Sequence, residues 1–283
     1  MNNGDSINTD SIIVYPNSFV KQQYRTKNKY FVFDLDETIG SFGDLYILWK
    51  GFFRFNEKKG LKFEESQEFF NSILELYPEF LRYGILTILE FLFYKKTTGK
   101  CQGVYIYTNN QCSPPWVNMI IKYLEVNRGL KGLFEPPICA FKINNCILEP
   151  RRTTGEKTYE DFIKCTLLPK TAEICYLDNA YFPRMNVGQV YYIQPKSYIH
   201  PLSSLEIVNR LERLGTVSLD KELISWILNN VSNVKKTKEM HEHDMEITRQ
   251  LLCIITDFFT LSPRKRMTRR RRKTRANITQ KKC

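Results

Sequence analysis

The chain has 283 residues, 42% of them hydrophobic and 13% aromatic, which is enough to build a packed core and excludes a wholly disordered polymer. No apolar run approaches the ~20 residues of a membrane span, and the opening MNNGDSINTD lacks the basic-then-apolar pattern of a secretory leader. A soluble, intracellular protein without a membrane partner is therefore expected, and the formal net charge of +12 has to be mapped before it is interpreted. Eleven Lys and Arg and no acid fall between Arg264 and Lys282, so the basicity belongs to a tail and the body before it is nearly neutral.

In chain order, the first ~25 residues are polar apart from a strand-like patch at Ile12 to Tyr15, and they read as a flexible lead-in. Tyr30-Phe31-Val32-Phe33 is a short apolar run that suits a buried strand of a parallel sheet. Glu64 to Tyr77 carries an apolar stripe at helical spacing, and a second helix is expected from about Gly84 to Lys96. Gly103 to Tyr107 is another buried-strand run, followed by a helix over Trp116 to Val126. A short helix over Tyr159 to Cys165 precedes two further strand candidates, Ile174 to Leu177 and Val190 to Ile193. Short apolar strands separated by helices imply βαβ units and a doubly wound, Rossmann-like α/β fold.

Beyond Pro201 the pattern is helical, over Leu205 to Leu214, Asp220 to Asn229 and Met245 to Phe259. The resulting division is a lead-in (1–25), an α/β domain (26–230) with a small helical insert at about 41–82, a helical extension (231–262) and a basic tail (263–283). The charged stretch Val234 to Asp244, with His241-Glu242-His243-Asp244, reads as a solvated connector and lacks the HExxH spacing of a zinc helix. Tyr46 to Phe55 is aromatic-rich and reads as packing. Eight cysteines include no CxxC pair, which argues for reduced, mostly buried thiols in a cytosolic setting.

Ligands of open α/β sheets bind beyond the carboxyl ends of the strands, so the polar residues after each apolar run carry the chemistry. The first run ends Asp34-Leu35-Asp36-Glu37-Thr38. Alternate residues of an extended segment face one way, and two carboxylates on one side need a cation or a shared proton. The second run ends Tyr107-Thr108-Asn109-Asn110 and the third Asp178-Asn179, while Lys157 stands just ahead of a helix. Oxygen-only ligands favour a hard ion such as Mg²⁺. Each element alone is weak, and four of them at strand and helix ends in this order point to one site.

These residues resemble the motifs of the haloacid dehalogenase superfamily. Asp34-Leu35-Asp36-Glu37-Thr38 is similar to its DxDxT phosphatase signature, Tyr107-Thr108 to its second motif, Lys157 to its third and Tyr176-Leu177-Asp178-Asn179 to its fourth. The Asp-Leu-Asp-Glu-Thr form, the Asp-Asn ending and the arginine-led segment Leu81-Arg82-Tyr83-Gly84 are similar to the branch that dephosphorylates the C-terminal domain of RNA polymerase II, with its NLI-interacting-factor-like members. Proteins of this type from large DNA viruses, basic tails included, look similar too, and would work in the host cell.

The resemblance implies an Mg²⁺-dependent phosphatase with Asp34 as nucleophile and Asp36 as general acid and base. Thr108, Asn109 and Lys157 would hold the phosphoryl group, and Asp34, Asp36, Asp178 and Asn179 would hold the metal. Lys164 competes with Lys157 for the third motif. A phosphorylated substrate, in the first instance a phosphoprotein, is expected. A nucleic-acid-end or small-metabolite phosphatase, a phosphotransferase and a phosphate-binding protein with little turnover remain open. The tail residues Arg264, Lys265, Arg266, Arg269, Arg270, Arg271, Arg272, Lys273 and Arg275 are expected to be disordered when alone, and to bind nucleic acid, engage a nuclear import receptor or only solubilise the chain.

Overall fold

The computed structural model describes residues 7–9, 11–15, 28–58, 65–214, 221–233 and 237–261. The four apolar runs are strands: β3 (Lys29–Phe33), β4 (Gly103–Ile106), β7 (Glu173–Leu177) and β8 (Val190–Pro195). Two strands precede them, β1 (Ile7–Thr9) and β2 (Ile12–Tyr15), and a small hairpin of β5 (Lys142–Ile143) and β6 (Cys146–Ile147) stands apart. The main sheet has six strands in the order β1-β2-β8-β7-β3-β4. β8, β7, β3 and β4 run parallel, and β2 and β1 add an antiparallel edge beside β8.

The chain is thus α/β with a mostly parallel central sheet. Its helices are α1 (Phe42–Lys58), α2 (Gln67–Leu76), α3 (Ile85–Thr97), α4 (Pro114–Asn127), α5 (Tyr159–Thr166), α6 (Ser204–Leu214), α7 (Lys221–Asn230) and α8 (Lys238–Thr260). None of the described helices is long and apolar enough to cross a membrane.

The pleat sends alternate residues to opposite faces, and the two faces are built differently. Phe31, Phe33, Val104, Ile106, Cys175, Leu177 and Ile193 join the large core, together with apolar residues of every helix except α5. Val32, Ile174, Tyr176, Val190 and Tyr192 face the other way, where Phe162 of α5 and Met185 cover them.

Two expectations change and a third holds. The lead-in patch is a strand: Ile12 to Tyr15 pair with Pro195 to Tyr192 of β8, and Ile12 and Val14 are buried, because the alternation of this patch fits a sheet with a free edge. The supposed connector belongs to α8, which starts at Lys238 with Thr237 Oγ1 accepting Met240 N–H. There His243 Nε2 bonds Ser11 Oγ at 2.5 Å, His241 packs edge-on against Tyr83 and Asp244 is buried. The apolar stripe of α8 starts only at Ile247, which hid its polar first turns from the periodicity. The aromatic run packs as expected, and the described part of the insert joins it: Trp49 of α1 meets Phe69 and Phe70 of α2 and Trp116 of α4.

From β3 the chain passes to β4 on one side and later to β7 on the other. The carboxyl ends of β3 and β7 therefore flank the point where the strand order reverses, which is where a sheet of this kind offers a crevice.

Candidate active site

The site starts where β3 ends. Asp34 N–H donates to Leu177 O at 2.9 Å, which carries the β3–β7 ladder one residue past the strand. Leu35 is fully buried in the large core, so Asp34 and Asp36 point to the other side of the pleat. The chain then turns sharply. Glu37 has a φ of 58°, Glu37 N–H donates to Gly40 O, and a Cβ on Gly40 would lie 2.5 Å from Phe80 O, so only glycine fits there. Arg82, buried, fixes this turn by donating to Thr38 O and Glu37 O, both at 2.6 Å, and to Lys196 O at 2.9 Å.

One oxygen of Asp34 faces an ammonium. Lys157 Nζ pairs with Asp34 Oδ1 and, at 2.7 Å, with Asp178 Oδ2, which also accepts from the Tyr176 hydroxyl. Lys157 is held there because Thr158 caps α5, with its Oγ1 accepting Asp161 N–H, while Thr158 N–H donates to the Tyr107 hydroxyl. Burial opposes the Lys157 charge, but Asp34 and Asp178 outweigh it and raise its pKa. Burial likewise pushes the Asp34 carboxyl up to about 7, with Lys157 opposing and Asp178 and Asp36 reinforcing. Lys164, by contrast, is 57% exposed and lies 3.9 Å from Asp161, on the outer side of α5.

The other oxygen faces oxygen. Asp34 Oδ2 lies 3.3 Å from Thr38 Oγ1, and the Asn179 amide reaches within 3.3 Å of Asp34 Oδ2, 3.1 Å of Asp36 O and 2.8 Å of Thr38 Oγ1. Two orientations of that amide fit. Nδ2 turned inward donates to these acceptors, with Ser197 Oγ donating to Oδ1 at 3.0 Å on the outer side. Oδ1 turned inward completes a trio of oxygens, Asp34 Oδ2, Asp36 O and Asn179 Oδ1, which suits a hard cation. The charge balance also fits a cation: Asp34 and Asp178 share the single ammonium of Lys157, with Asp36 close by.

The donor set differs from the one the motifs imply. Asp178 is occupied, since Oδ2 takes Lys157 and Tyr176 and Oδ1 accepts Ala180 N–H at 2.8 Å. Asp36 offers its carbonyl rather than its carboxylate. No group of three or more His, Cys, Asp or Glu side chains gathers as metal ligands among the described residues, and the trio contains only one carboxylate.

The Asp36 carboxylate turns instead to the loop after β4. Asn110 Nδ2 donates to Asp36 Oδ2 at 2.8 Å, while Asp36 Oδ1 meets no donor among the described residues. Burial raises the Asp36 pKa, and Asn110 and Lys157 oppose it. Asn110 is itself locked, with Oδ1 accepting Cys112 N–H at 2.8 Å and its own N–H donating to Thr108 Oγ1 at 2.9 Å. Behind them the buried Arg152 donates to Asn109 Oδ1 at 2.7 Å, to Cys139 O at 2.8 Å and to Thr108 O at 3.2 Å.

The carboxylates, Lys157 and the Asn110 and Asn179 amides line one cleft of 640 Å³, bounded also by Gly43, Asp44 and Ile47 of α1 and by Ser232. All seven residues expected in the folded site, Asp34, Asp36, Thr108, Asn109, Lys157, Asp178 and Asn179, line it, whereas the tail residues from Arg264 onward lie outside the described residues. Sequence reasoning gave no role to Thr38, Asn110, Tyr176 or Arg152. Thr38, Asn110 and Tyr176 stood within the quoted motifs, whereas Arg152 gives no local signal because its partners Cys139, Asn109 and Thr108 are 13 to 44 residues away. Compared with known proteins, the chain matches no family model and no curated protein.

Proposed function

We propose that the chain is an Mg²⁺-dependent phosphomonoester hydrolase of the haloacid dehalogenase type, acting through Asp34 on a macromolecular substrate. The observation that carries this reading is the two-sided setting of Asp34, with an ammonium on Oδ1 and converging oxygens on Oδ2, at the carboxyl end of β3. Asp34 attacks phosphorus and forms an aspartyl phosphate as the ester P–O bond breaks. Protonated Asp36, whose Oδ1 is unengaged, gives its proton to the leaving oxygen. Water then attacks the phosphorus, Asp36 takes the proton back, and inorganic phosphate leaves with Asp34 restored. Lys157 offsets charge at Asp34 throughout, and Thr108 and Asn109 border the space for the phosphoryl oxygens. Mg²⁺, held by Asp34 Oδ2, the Asp36 carbonyl and Asn179, would neutralise charge on the phosphoryl group.

A macromolecular substrate is favoured because α2 and most of α1, the described insert after the first motif, pack into the large core, with Gly43, Asp44 and Ile47 at the start of α1 forming one wall of the cleft. The test is hydrolysis of an aryl phosphate. Chelator should remove activity, BeF₃⁻ should inhibit as an acyl-phosphate mimic, and Asp34→Asn should lower turnover at least ~10³-fold. A variant that kept a tenth of wild-type turnover would place the nucleophile elsewhere.

A further inference from the structure

The catalytic cleft does not end at Asp44. Helices α1 and α7 lie side by side and antiparallel: Ser232, just past α7, bonds Asp44 near the start of α1, Trp226 Nε1 donates to Ile47 O at 3.4 Å, and Lys58 pairs with Glu222 at 2.8 Å. Gly51 allows this approach, since a Cβ there would sit 2.8 Å from the Trp226 ring. A second cavity of 390 Å³ opens at the far end of the same seam, between Arg54, Lys58, Trp226 and Asn229. One seam thus carries both the Asp34 cleft, lined as far as Ile47, and a second cavity, lined from Arg54 onward, about 10 Å further along α1.

The outer wall of that seam is cationic. At ~100° per residue, Gly43 and Ile47, which line the cleft, share one helix face with Lys50, Arg54 and Lys58. All three cations are exposed and spaced one turn apart, about 6 Å. Each lies over an aromatic ring: Lys50 over Tyr46, Arg54 over Trp226, and Lys58 over Phe55. Lys221 adds a fourth positive charge at the far cavity. Of the acids nearby, Asp44 is engaged by His200 and Ser232 and Glu222 by Lys58, and Glu57 is the third.

We infer that the groove binds the chain behind a terminal phosphate of single-stranded nucleic acid, so that the end sits at Asp34 and successive phosphodiesters meet Lys50, Arg54 and Lys58. This rests on the phosphatase reading and names its substrate class. Evenly repeated cations match an evenly repeated anion, and the partly exposed rings of Tyr46 and Trp226 beside them suit bases without sequence preference. A phosphopeptide presents one phosphate and needs no such series.

The experiment compares full-length protein on 5′- and 3′-phosphorylated oligothymidylates of one to about eight nucleotides, a phosphoserine peptide and an aryl phosphate. With the preferred end, kcat/KM should rise with length to about four nucleotides and then level. Three phosphate contacts should give a log–log salt slope of about −2. Lys50→Glu/Arg54→Glu/Lys58→Glu should lower the oligonucleotide-to-aryl-phosphate ratio of kcat/KM about 10²-fold, mainly through KM. If the aryl ester turns over but length has no effect, if the phosphopeptide surpasses every oligonucleotide, or if the triple variant keeps the wild-type ratio, the inference falls and the phosphatase reading stands. If no phosphate ester turns over, both fall together.

Discussion

The two faces of the central sheet are made of different chemistry. The face under α1 to α4 is filled by Phe, Leu, Ile and Trp, with the ring cluster around Trp49 at its centre. The face under α5 is smaller and carries buried tyrosines whose hydroxyls reach the loops of the site. Tyr107 accepts Thr158 N–H beside Lys157, Tyr176 donates to Asp178, and Tyr192 accepts Phe182 N–H and donates to Ala180 O. Burial raises the pKa of all three, so they stay protonated and remain donors at neutral pH. One face thus supplies transfer free energy without direction, and the other supplies directed hydrogen bonds that aim Lys157 and Asp178. A strict division would predict that the first face governs stability and the second governs turnover.

Lys157 is the place to break that division. Lys157→Ala should lower turnover ~10²-fold, because a preorganised stabiliser of developing charge is lost. It should also cost about 3–5 kcal/mol of stability, because Asp34 and Asp178 would remain buried without their shared cation. Lys164→Ala, on the exposed side of α5, should change neither. Aryl-phosphate kinetics and denaturant unfolding of both variants would settle the matter, and the reverse pattern would move the third motif to Lys164.

Trp49→Ala sharpens the comparison from the other side. Removing this ring from among Phe53, Phe69, Phe70 and Trp116 should cost about 3–5 kcal/mol, with turnover per folded molecule preserved. A large fall in turnover without a stability change would mean that the large core also positions the cleft.

The same contrast explains what could be read from the sequence. The central strands were legible because residues buried on both faces form unbroken apolar runs, such as Tyr30 to Phe33. Asp34, Asp36, Thr108, Lys157, Asp178 and Asn179 were legible because strand and helix ends are visible in one dimension. What was hidden are the contacts across the chain. Asn110 reaches Asp36 across 74 residues, and Asp178, expected as a metal ligand, pairs with Lys157 across 21 residues. The patch Ile12 to Tyr15 was legible as strand-like, but its pairing was not, because its partner, β8, lies almost the whole domain away, and the start of α8 was hidden because its first turns carry mostly exposed polar side chains.

Asn110 tests whether directed bonds extend beyond the tyrosines. It is a positioning residue: it holds Asp36 Oδ2 and lowers a pKa that burial raises. Asn110→Ala should therefore raise the Asp36 pKa further. If Asp36 must be protonated to release the leaving group, the alkaline limb of the kcat profile should move to higher pH. At neutral pH, turnover should fall about 10-fold through lost aim, with about 1 kcal/mol of stability lost as one hydrogen bond disappears. An unmoved alkaline limb would remove Asp36 from the acid role.

The smallest effect belongs to Asp44, which stands between the two regions, on a helix of the large core but at the wall of the cleft. Leu202 N–H donates to His200 Nδ1 at 3.2 Å, which leaves the proton on Nε2 to donate to Asp44 Oδ2 at 2.9 Å. Burial alone would raise the Asp44 pKa, but the bonds from His200 and Ser232 prevail and hold it below the usual carboxylate value of 3.8. A carboxyl whose pKa is lower in the folded than in the unfolded chain contributes stability that is fully present above its unfolded pKa and is lost as the pH falls through its folded pKa. Asp44→Ala should therefore cost about 1–2 kcal/mol at pH 7, a Tm fall of about 2–4 °C per kcal/mol. The gap between variant and wild type should narrow as the pH drops below about 4. Thermal unfolding of both proteins at pH 7 and pH 3 measures it, and a gap that stayed constant or widened in acid would show that Asp44 is not held as a carboxylate by His200 and Ser232.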